Sequence, residues 1–578
     1  MNQSQETSFL KRVGHLEKPQ QLEIVACLGI FLFSLYVCWL FSLAYPQSFI
    51  TEETACHRAL SHSFTLFEAN SLDWSITFPF SLVLWLSAHS PCPSSATYWL
   101  NVFLLSLSMA VVVKLGRALF GSLLAGLGLA LSAIAFELAV MRIFYSNLQV
   151  CVDPLLSELV CLGILLSLVA WLDKRPRLFI AAYAVLGWAC FLKPVGLSLL
   201  PMLVPLAILA WYRLPEKHQK IQVFALSLCL LLAPPFLWSL RNFFIYHEFK
   251  CSALAGSSLL RVVLPLVEQG DVVLGNPSLD QTFILSVRTC EIVGKYPREI
   301  DLPQPIRSWR NEEYFISGNC PVNPFVFLAN TFYPGWNASG SRYNTPTLEP
   351  PVLFKLDAIC GPMALRIIWA HPLGYLHRVA REYVDLFNPA VLMLDPWDKF
   401  YGEPPEDYMY WKPRVGPRPI DFELNPVTGI PSGLHSNATV AKAFRGLYYN
   451  PVVAQFREWY FANELVISHL IFLGALALLI YRYSLKNVRD CAIVLVVLFL
   501  SSDLTDVAVS MCQVAKARYA LCGEIELHLA FLISVFAIAH WLVLLTKRTP
   551  AFSIPRLLDI ANQGNLPGSV QQSKSETD

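Results

Sequence analysis

The sequence predicts a mainly α-helical, polytopic membrane protein of about ten transmembrane helices, with an inserted extracytoplasmic domain of mixed structure. The chain of 578 residues is 55% hydrophobic and only 15% charged, whereas soluble domains carry about 25% charged residues. Apolar runs of about 17–25 residues, the length that crosses a bilayer as a helix, recur along it. The stretch 241–462 contains none, is rich in Pro, Asn, Trp and Tyr, and has the length of an ordinary domain.

The predicted spans divide the chain into two membrane parts, 22–240 and 463–546. Residues 1–21 precede the first span, which is too long for the apolar core of a cleavable signal peptide. Residues 547–578 follow the last span, and their polar end after Pro567 is expected to be disordered. The predicted spans are 22–45, 98–114, 119–139, 154–172, 177–193, 196–212, 221–240, 463–481, 488–508 and 527–546.

Basic residues near the ends of these spans predict the orientation of the chain. They fall on alternate connections, which the positive-inside rule assigns to the cytoplasm. Both termini are therefore expected in the cytoplasm of a multi-pass protein of the cell (inner) membrane. The loops 46–97, 140–153 and 511–526, the tight turn Lys193–Gly196 and the segment 241–462 are expected outside. The orientation rests on Lys11, Arg12, Lys18, Lys114, Arg117, Lys174, Arg175, Arg177, Arg213, Lys217, Lys220, Arg482, Lys486, Arg489, Lys547 and Arg548.

Charge and cysteine usage exclude some classes of partner and cofactor. The 43 basic and 42 acidic residues leave a net charge of +1, so nothing favours a nucleic acid. No CxxC or Cys/His ligand spacing occurs among the 15 cysteines, and we predict no metal and no cofactor. Cys56 with Cys92 is one candidate disulfide, and some pairing among Cys290, Cys320 and Cys360 is another.

Two adjacent carboxylates, Glu52 and Glu53, lie in the first outer loop within the stretch Ser48-Phe-Ile-Thr-Glu-Glu-Thr-Ala-Cys-His-Arg58. A carboxylate pair at a membrane surface, directly after a span, suits the general base of a membrane transferase. The alternative is two solvated acids in an outer loop. Farther along this loop, Ser75–His89 is apolar but short for a span, which indicates an interfacial or re-entrant helix.

Further polar residues are expected at the same outer face. Asp153, in front of Pro154, is a candidate substrate-binding residue or simply a helix N-cap. Glu158 lies about a turn deeper, where an unpaired acid costs several kcal/mol, and is also assigned to substrate binding. Four cations are candidates for binding a lipid phosphate, although the lysine has a snorkelling alternative. They are Lys193, Arg241, Arg58 and Arg518. Pro234 and Pro235 are expected to end the seventh span with a break, which leaves Arg241 at the outer interface.

The segment Leu365–Phe387 interleaves apolar with basic residues, and its C-terminal part has helical apolar spacing. It is expected to lie on anionic head groups or, equally, to pack as an amphipathic helix on the domain core.

With these motifs in their order, the chain resembles the polytopic membrane glycosyltransferases of the GT-C class, in particular the branch with protein O-mannosyltransferases and the lipid A aminoarabinose transferase. The resemblance rests on the acidic first outer loop, on Asp-Pro-Leu-Leu-Ser-Glu (153–158) and on Phe-Leu-Lys-Pro-Val-Gly (191–196). Three later motifs support it: Pro-Pro-Phe-Leu-Trp-Ser-Leu-Arg-Asn (234–242), His-Pro-Leu-Gly-Tyr-Leu (371–376) and Ala-Arg-Tyr (517–519).

The resemblance implies a polyprenyl- or dolichyl-phosphate-sugar donor, an active site on the outer side, and a base or acceptor-positioning acid at Glu53 or Glu52. Many relatives carry an Asp-Glu pair where this chain has Glu-Glu, and an outer domain here precedes the last three spans. We expect an inverting glycosyltransferase that is surrounded by membrane lipids and acts on a glycan, lipid or protein acceptor. A transporter or flippase of a lipid-linked or amphiphilic substrate, and a non-catalytic membrane assembly protein, are the alternatives.

Overall fold

A computed structural model describes the chain over ten main ranges and a few short pieces between them, and nearly all of the described chain is α-helical. The ranges are 18–44, 78–90, 96–140, 152–192, 216–252, 255–293, 350–387, 438–481, 486–512 and 517–548.

The N-terminal part contains seven helices among the described residues. These are α1 (Lys18–Ala44), α2 (Phe78–Ala88), α3 (Ala96–Phe120), α4 (Leu123–Val140), α5 (Val152–Asp173), α6 (Pro176–Leu192) and α7 (Lys217–Tyr246). The expected interfacial or re-entrant segment corresponds to α2, which buries Phe80 and Leu84 and packs on α3, α6 and α7.

The middle of the chain adds shorter helices and one two-residue hairpin. They are α8 (Ala255–Val263), a 3-10 turn at Leu264–Leu266, α9 (Pro277–Val293), β1 (Ser339–Gly340) paired antiparallel with β2 (Pro346–Thr347), α10 (Pro350–Ala370), α11 (Pro372–Leu386) and α12 (Ala438–Tyr448). The C-terminal helices are α13 (Pro451–Ile480), α14 (Lys486–Cys512) and α15 (Ala517–Arg548).

In the described part of the chain, 8 helices are long and apolar enough to cross a membrane, as expected of an integral membrane protein. They correspond to eight of the predicted spans. The predicted span 177–193 is α6, a helix of 17 residues that is shorter than these. The predicted span 196–212 lies largely outside the described residues. The candidate spans are Pro19–Leu43, Ala96–Phe120, Leu123–Val140, Pro154–Asp173, Lys217–Tyr246, Pro451–Ile480, Lys486–Met511 and Gly523–Val543.

The proline pair in α7 does not end the helix, contrary to the expected break at 234–242. The helix continues through Pro234 and Pro235 to Tyr246 and closes on His247, whose left-handed backbone (φ 58°) lets its N–H bond the Phe243 carbonyl. In a bilayer, neighbouring helices and side chains can satisfy the carbonyls that proline frees, so such a helix can stay continuous.

The helix α13 begins well before the predicted span 463–481, and its local sequence explains the start. The Asn450 side chain accepts hydrogen bonds from the Val452 and Val453 amides at 3.0 and 3.4 Å. Pro451 occupies the first helical position, where its missing N–H costs nothing.

The main apolar core lies between α1, α3–α6 and α13–α15, where small residues bring the helices close together. A Cβ on Gly126 of α4 would approach the Val113 carbonyl oxygen of α3 to 2.3 Å. A second buried apolar cluster is built from α8 to α11, within residues 260–375. There Asp357 accepts the Gly256 and Ser257 amides at 2.7 and 3.0 Å, which caps α8.

Burial raises the pKa of the Asp357 carboxyl and raises that of the Cys360 thiol to about 12. Cys360 is a free, buried thiol, so a disulfide through Cys360 is wrong. The other cysteines of the two candidate pairings lie outside the residues whose side chains are described.

The segment expected to form an amphipathic helix is the end of α10 followed by α11, with a break at His371, whose Nε2 lies 2.8 Å from Asp271. The Tyr375 hydroxyl donates to the carbonyl of Met511 at 2.9 Å, at the end of a candidate span. Four large apolar side chains of this segment are exposed: Trp369, Leu373, Leu376 and Val384.

Replacing Gly126 by Ala should destabilise the helical bundle. The added methyl group meets the backbone of α3, which cannot move aside cheaply, and we expect a loss of about 1–3 kcal/mol. The measurement is the thermal unfolding midpoint of the purified full chain in one detergent.

Gly29→Ala is the matched control, because nothing lies within 4 Å of a Cβ at this helical position. It should leave the midpoint unchanged or raise it slightly. Equal midpoints for both variants would contradict the close approach of α3 and α4.

Candidate functional site

Ion pairs define one end of the transmembrane bundle. Glu23, at the start of α1, lies 3.8 Å from Lys114 and pairs with Arg117, both at the end of α3. Lys114 also lies 3.9 Å from Asp173 at the end of α5. We call these four residues the ion-paired end.

A buried group of three carboxylates and one histidine lies away from that end. His528 of α15 is 1% exposed, and its Nδ1 lies 2.8 Å from Glu137 of α4, which is 2% exposed. The other ring nitrogen, Nε2, lies 3.8 Å from Glu464 of α13 and 3.7 Å from Glu524. We call these four residues the acid–histidine cluster. It joins three helices that are distant in sequence.

The helical repeat explains how α15 supplies two of the four members of this cluster. Glu524 and His528 are four residues apart, so they occupy one face of the helix. Glu526 lies on another face and is also fully buried. Near the start of α15, a Cβ on Gly523 would meet the Ser502 hydroxyl oxygen at 2.3 Å. Glycine at that position therefore lets α14 and α15 approach closely.

More buried carboxylates surround the cluster on neighbouring helices. Glu158 of α5 accepts a hydrogen bond from Asn147 at 3.2 Å, while its second oxygen finds no partner among the described residues. Asp506 of α14 accepts from Ser502 at 3.4 Å. Buried acids of this kind are expensive in a membrane and commonly mark functional sites.

Chain connectivity places these acids at one end of the bundle. Glu158 and Asp173 lie on the same helix and are separated by about 22 Å at roughly 1.5 Å per residue. Glu137 lies near the end of α4, whose start follows the ion-paired end of α3. We call the end that carries Glu137 and Glu158 the acidic end.

A tyrosine from α11 reaches this part of the bundle. The Tyr383 hydroxyl donates to Asp503 of α14 and lies 3.3 Å from His469 Nε2. His469 Nδ1 lies 2.7 Å from the Leu465 carbonyl and therefore carries the donated proton. Burial, followed by the hydrogen bond to Asp503, raises the pKa of the Tyr383 phenol, so the phenol remains a donor.

Among the predicted phosphate-binding residues, Arg241 has described contacts. Its guanidinium lies over the Trp238 ring at 4.1 Å and donates to Asn242 Oδ1 at 3.1 Å. Its Nη2 also donates to the carbonyl of Glu68 at 2.7 Å, in the predicted first outer loop. The structure therefore brings Arg241 to the loop that carries the predicted catalytic acids.

The other predicted site residues fall into two groups. Glu52, Glu53, Arg58 and Lys193 lie outside the described residues. Asp153 is the second residue of α5 and Arg518 the second residue of α15, so each lies in the first turn of its helix. The helix α5 starts at Val152, which places Asp153 inside the helix and not at its N-cap.

No family model, no curated protein and no solved structure matches the chain. The resemblance to the GT-C class therefore stays a prediction.

Sequence reasoning did not single out the acid–histidine cluster, although a signal for it was present. Glu137, Glu464 and His528 all lie inside spans predicted from hydropathy, where ionisable residues are rare. Among the described residues, no three His, Cys, Asp or Glu side chains are arranged to enclose a metal ion. The prediction of no metal remains untested.

Tyr383→Phe should destabilise the contact between α11 and α14. The substitution removes the donor to Asp503 and adds no new contact, which costs roughly 1–3 kcal/mol for a partly buried carboxylate. We expect a lower thermal unfolding midpoint of the full chain in detergent. Tyr481→Phe is the control, because Tyr481 is 83% exposed. Indistinguishable midpoints for the two variants would count against the Tyr383–Asp503 hydrogen bond.

Proposed function

We propose that the chain is a membrane glycosyltransferase that moves a sugar from a polyprenyl-phosphate donor to an acceptor on the outer side of the membrane. The observation that carries this proposal is the hydrogen bond from Arg241 to the Glu68 carbonyl. It is a direct contact between a cation suited to a lipid phosphate and the loop that contains Glu52 and Glu53.

The packing of α2 supports the same arrangement. This helix belongs to the first predicted outer loop and packs against both α6 and α7. Lys193 directly follows the last residue of α6, and Arg241 lies near the end of α7. Arg241 therefore lies on one of the helices against which α2 packs, and Lys193 follows the other helix in the sequence.

Connectivity supports a location of the proposed site at the acidic end. The loop between α1 and α3 leaves α1 at Ala44 and enters α3 at Ala96, both remote from the ion-paired end. Arg241 contacts that loop and so shares the end with Glu158. In the proposal, Asp153 and Glu158 contribute to substrate binding there.

The proposed chemistry needs few groups. The donor phosphate on the anomeric carbon is a leaving group, so the protein must position the acceptor, take its proton and stabilise the departing charge. Glu53 or Glu52 takes the acceptor proton as the sugar–phosphate bond breaks. Arg241, Lys193, Arg58 and Arg518 bind the phosphate. A single displacement of this kind inverts the anomeric configuration.

The test is binding and transfer by the purified full chain, with a panel of polyprenyl phosphates and polyprenyl-phosphate-sugars. Arg241→Ala should weaken binding of every phosphate by roughly 10- to 100-fold, the equivalent of a lost charge-assisted hydrogen bond. Glu52→Gln and Glu53→Gln should preserve binding, and one of them should lower transfer by roughly 10²–10⁴-fold.

Arg175→Ala is the matched control. Arg175 is 58% exposed, lies 3.7 Å from Asp173 and therefore belongs to the ion-paired side of the molecule. It should leave binding unchanged. The absence of binding to any member of the panel, by folded protein, would overturn the proposal. So would equal losses from Arg175→Ala and Arg241→Ala.

The buried acids favour a second candidate, a transporter of a lipid-linked or amphiphilic substrate. Carboxylates and histidines inside spans are typical of proton-coupled pathways. Movement of a fluorescent lipid phosphate across proteoliposomes, without sugar transfer, would favour transport. Transfer without movement would favour the enzyme.

A further inference from the structure

The geometry around His528 favours a positive charge on its ring. The Nδ1 atom lies 2.8 Å from Glu137 Oε1. An ionised carboxylate can only accept a hydrogen bond, so Nδ1 carries a proton and donates it. If the ring were neutral, Nε2 would then be a bare lone pair, and it lies 3.8 and 3.7 Å from the oxygens of Glu464 and Glu524. A lone pair facing two carboxylates is repulsive, whereas an N–H facing them is attractive.

Nε2 is buried and has no hydrogen-bond partner within the described part of the chain. The ring centroid lies 4.5 Å from that of Phe136 and 5.5 Å from that of Tyr460. Aromatic faces carry negative potential, which favours a cation over a neutral ring.

The groups that face His528 come from three helices. They are Glu137 from α4, Glu464 and Tyr460 from α13, and Glu524 from its own helix α15. In the described part of the chain, no group of His, Cys, Asp or Glu side chains is arranged to hold a metal ion. A proton on Nε2 needs no additional space. The chemistry therefore favours a proton over a metal ion.

We propose that the acid–histidine cluster is a proton-binding site inside the membrane bundle, with His528 as an imidazolium between Glu137 on Nδ1 and Glu464 and Glu524 on Nε2. One proton from water adds to Nε2 of the neutral ring, and Glu137 stays the acceptor on Nδ1. The bound proton joins α4, α13 and α15, and its loss leaves their carboxylates to repel one another. The site is independent of the proposed sugar transfer.

The test is nitrogen NMR of the full chain, labelled with ¹⁵N-histidine and reconstituted in lipid nanodiscs, at pH 7.5. Free histidine in water is then about nine-tenths neutral. We expect one of the 12 histidines to show both ring nitrogens protonated. This signal should vanish in His528→Gln and become that of a neutral ring in Glu137→Gln.

His540→Gln is the matched control on the same helix, where the ring packs on Phe120 at 5.8 Å. It should leave the imidazolium signal in place. A wild-type spectrum with every histidine neutral would overturn the proposal without any variant having to fold. A signal of metal-bound imidazole that disappears with a chelator would also overturn it, in favour of a metal ion.

Discussion

The constraint on which this structure depends is the cost of charge inside a membrane. Removing an ionised side chain from water costs several kcal/mol unless opposite charges or hydrogen bonds replace the lost hydration. The molecule meets this cost differently at its two ends. At the ion-paired end, Glu23 and Asp173 have lysine or arginine partners that remain partly exposed. At the acidic end, Glu137 is fully buried and contacts a histidine.

The buried cluster at the acidic end holds particular helices together. Glu137, Glu464 and His528 come from α4, α13 and α15, so the cluster holds the C-terminal helices against the N-terminal part of the bundle. Small residues allow close packing within each of these two parts, because membrane helices gain little from burying apolar surface against one another and depend on close contact. Gly126 lies at such a contact between α3 and α4, and Gly523 at one between α14 and α15, where a side chain would strike the neighbouring helix.

Hydropathy alone gave the coarse fold, because a spanning helix needs a long apolar run and eight such helices are present in the described part of the chain. Rules based on local sequence were less reliable where contacts with other parts of the chain affect a helix. Pro234 and Pro235 suggested a break, yet α7 continues to Tyr246. The start of α13 followed from a side-chain cap at Asn450, a signal that a hydropathy window ignores because Gln455, Arg457 and Glu458 lower the mean hydropathy of the first turns.

The candidate site was less predictable, since its members meet only through tertiary packing. The sequence could indicate that Glu158 is costly, but the distance between Glu137 and His528 follows from the crossing of α4 and α15, which no local pattern contains. Arg241 shows the complementary case. Its place near the end of a predicted span was readable from charge and hydropathy, and its contact with Glu68 was not.

The acidic end therefore holds two kinds of chemistry that need not act together. Arg241 is partly exposed and contacts a loop, which is compatible with the proposed binding of a lipid phosphate. His528 is sealed among aromatic rings, which excludes a bulky ligand and leaves room for a proton. The proposed sugar donor would therefore bind in the first region and not in the second.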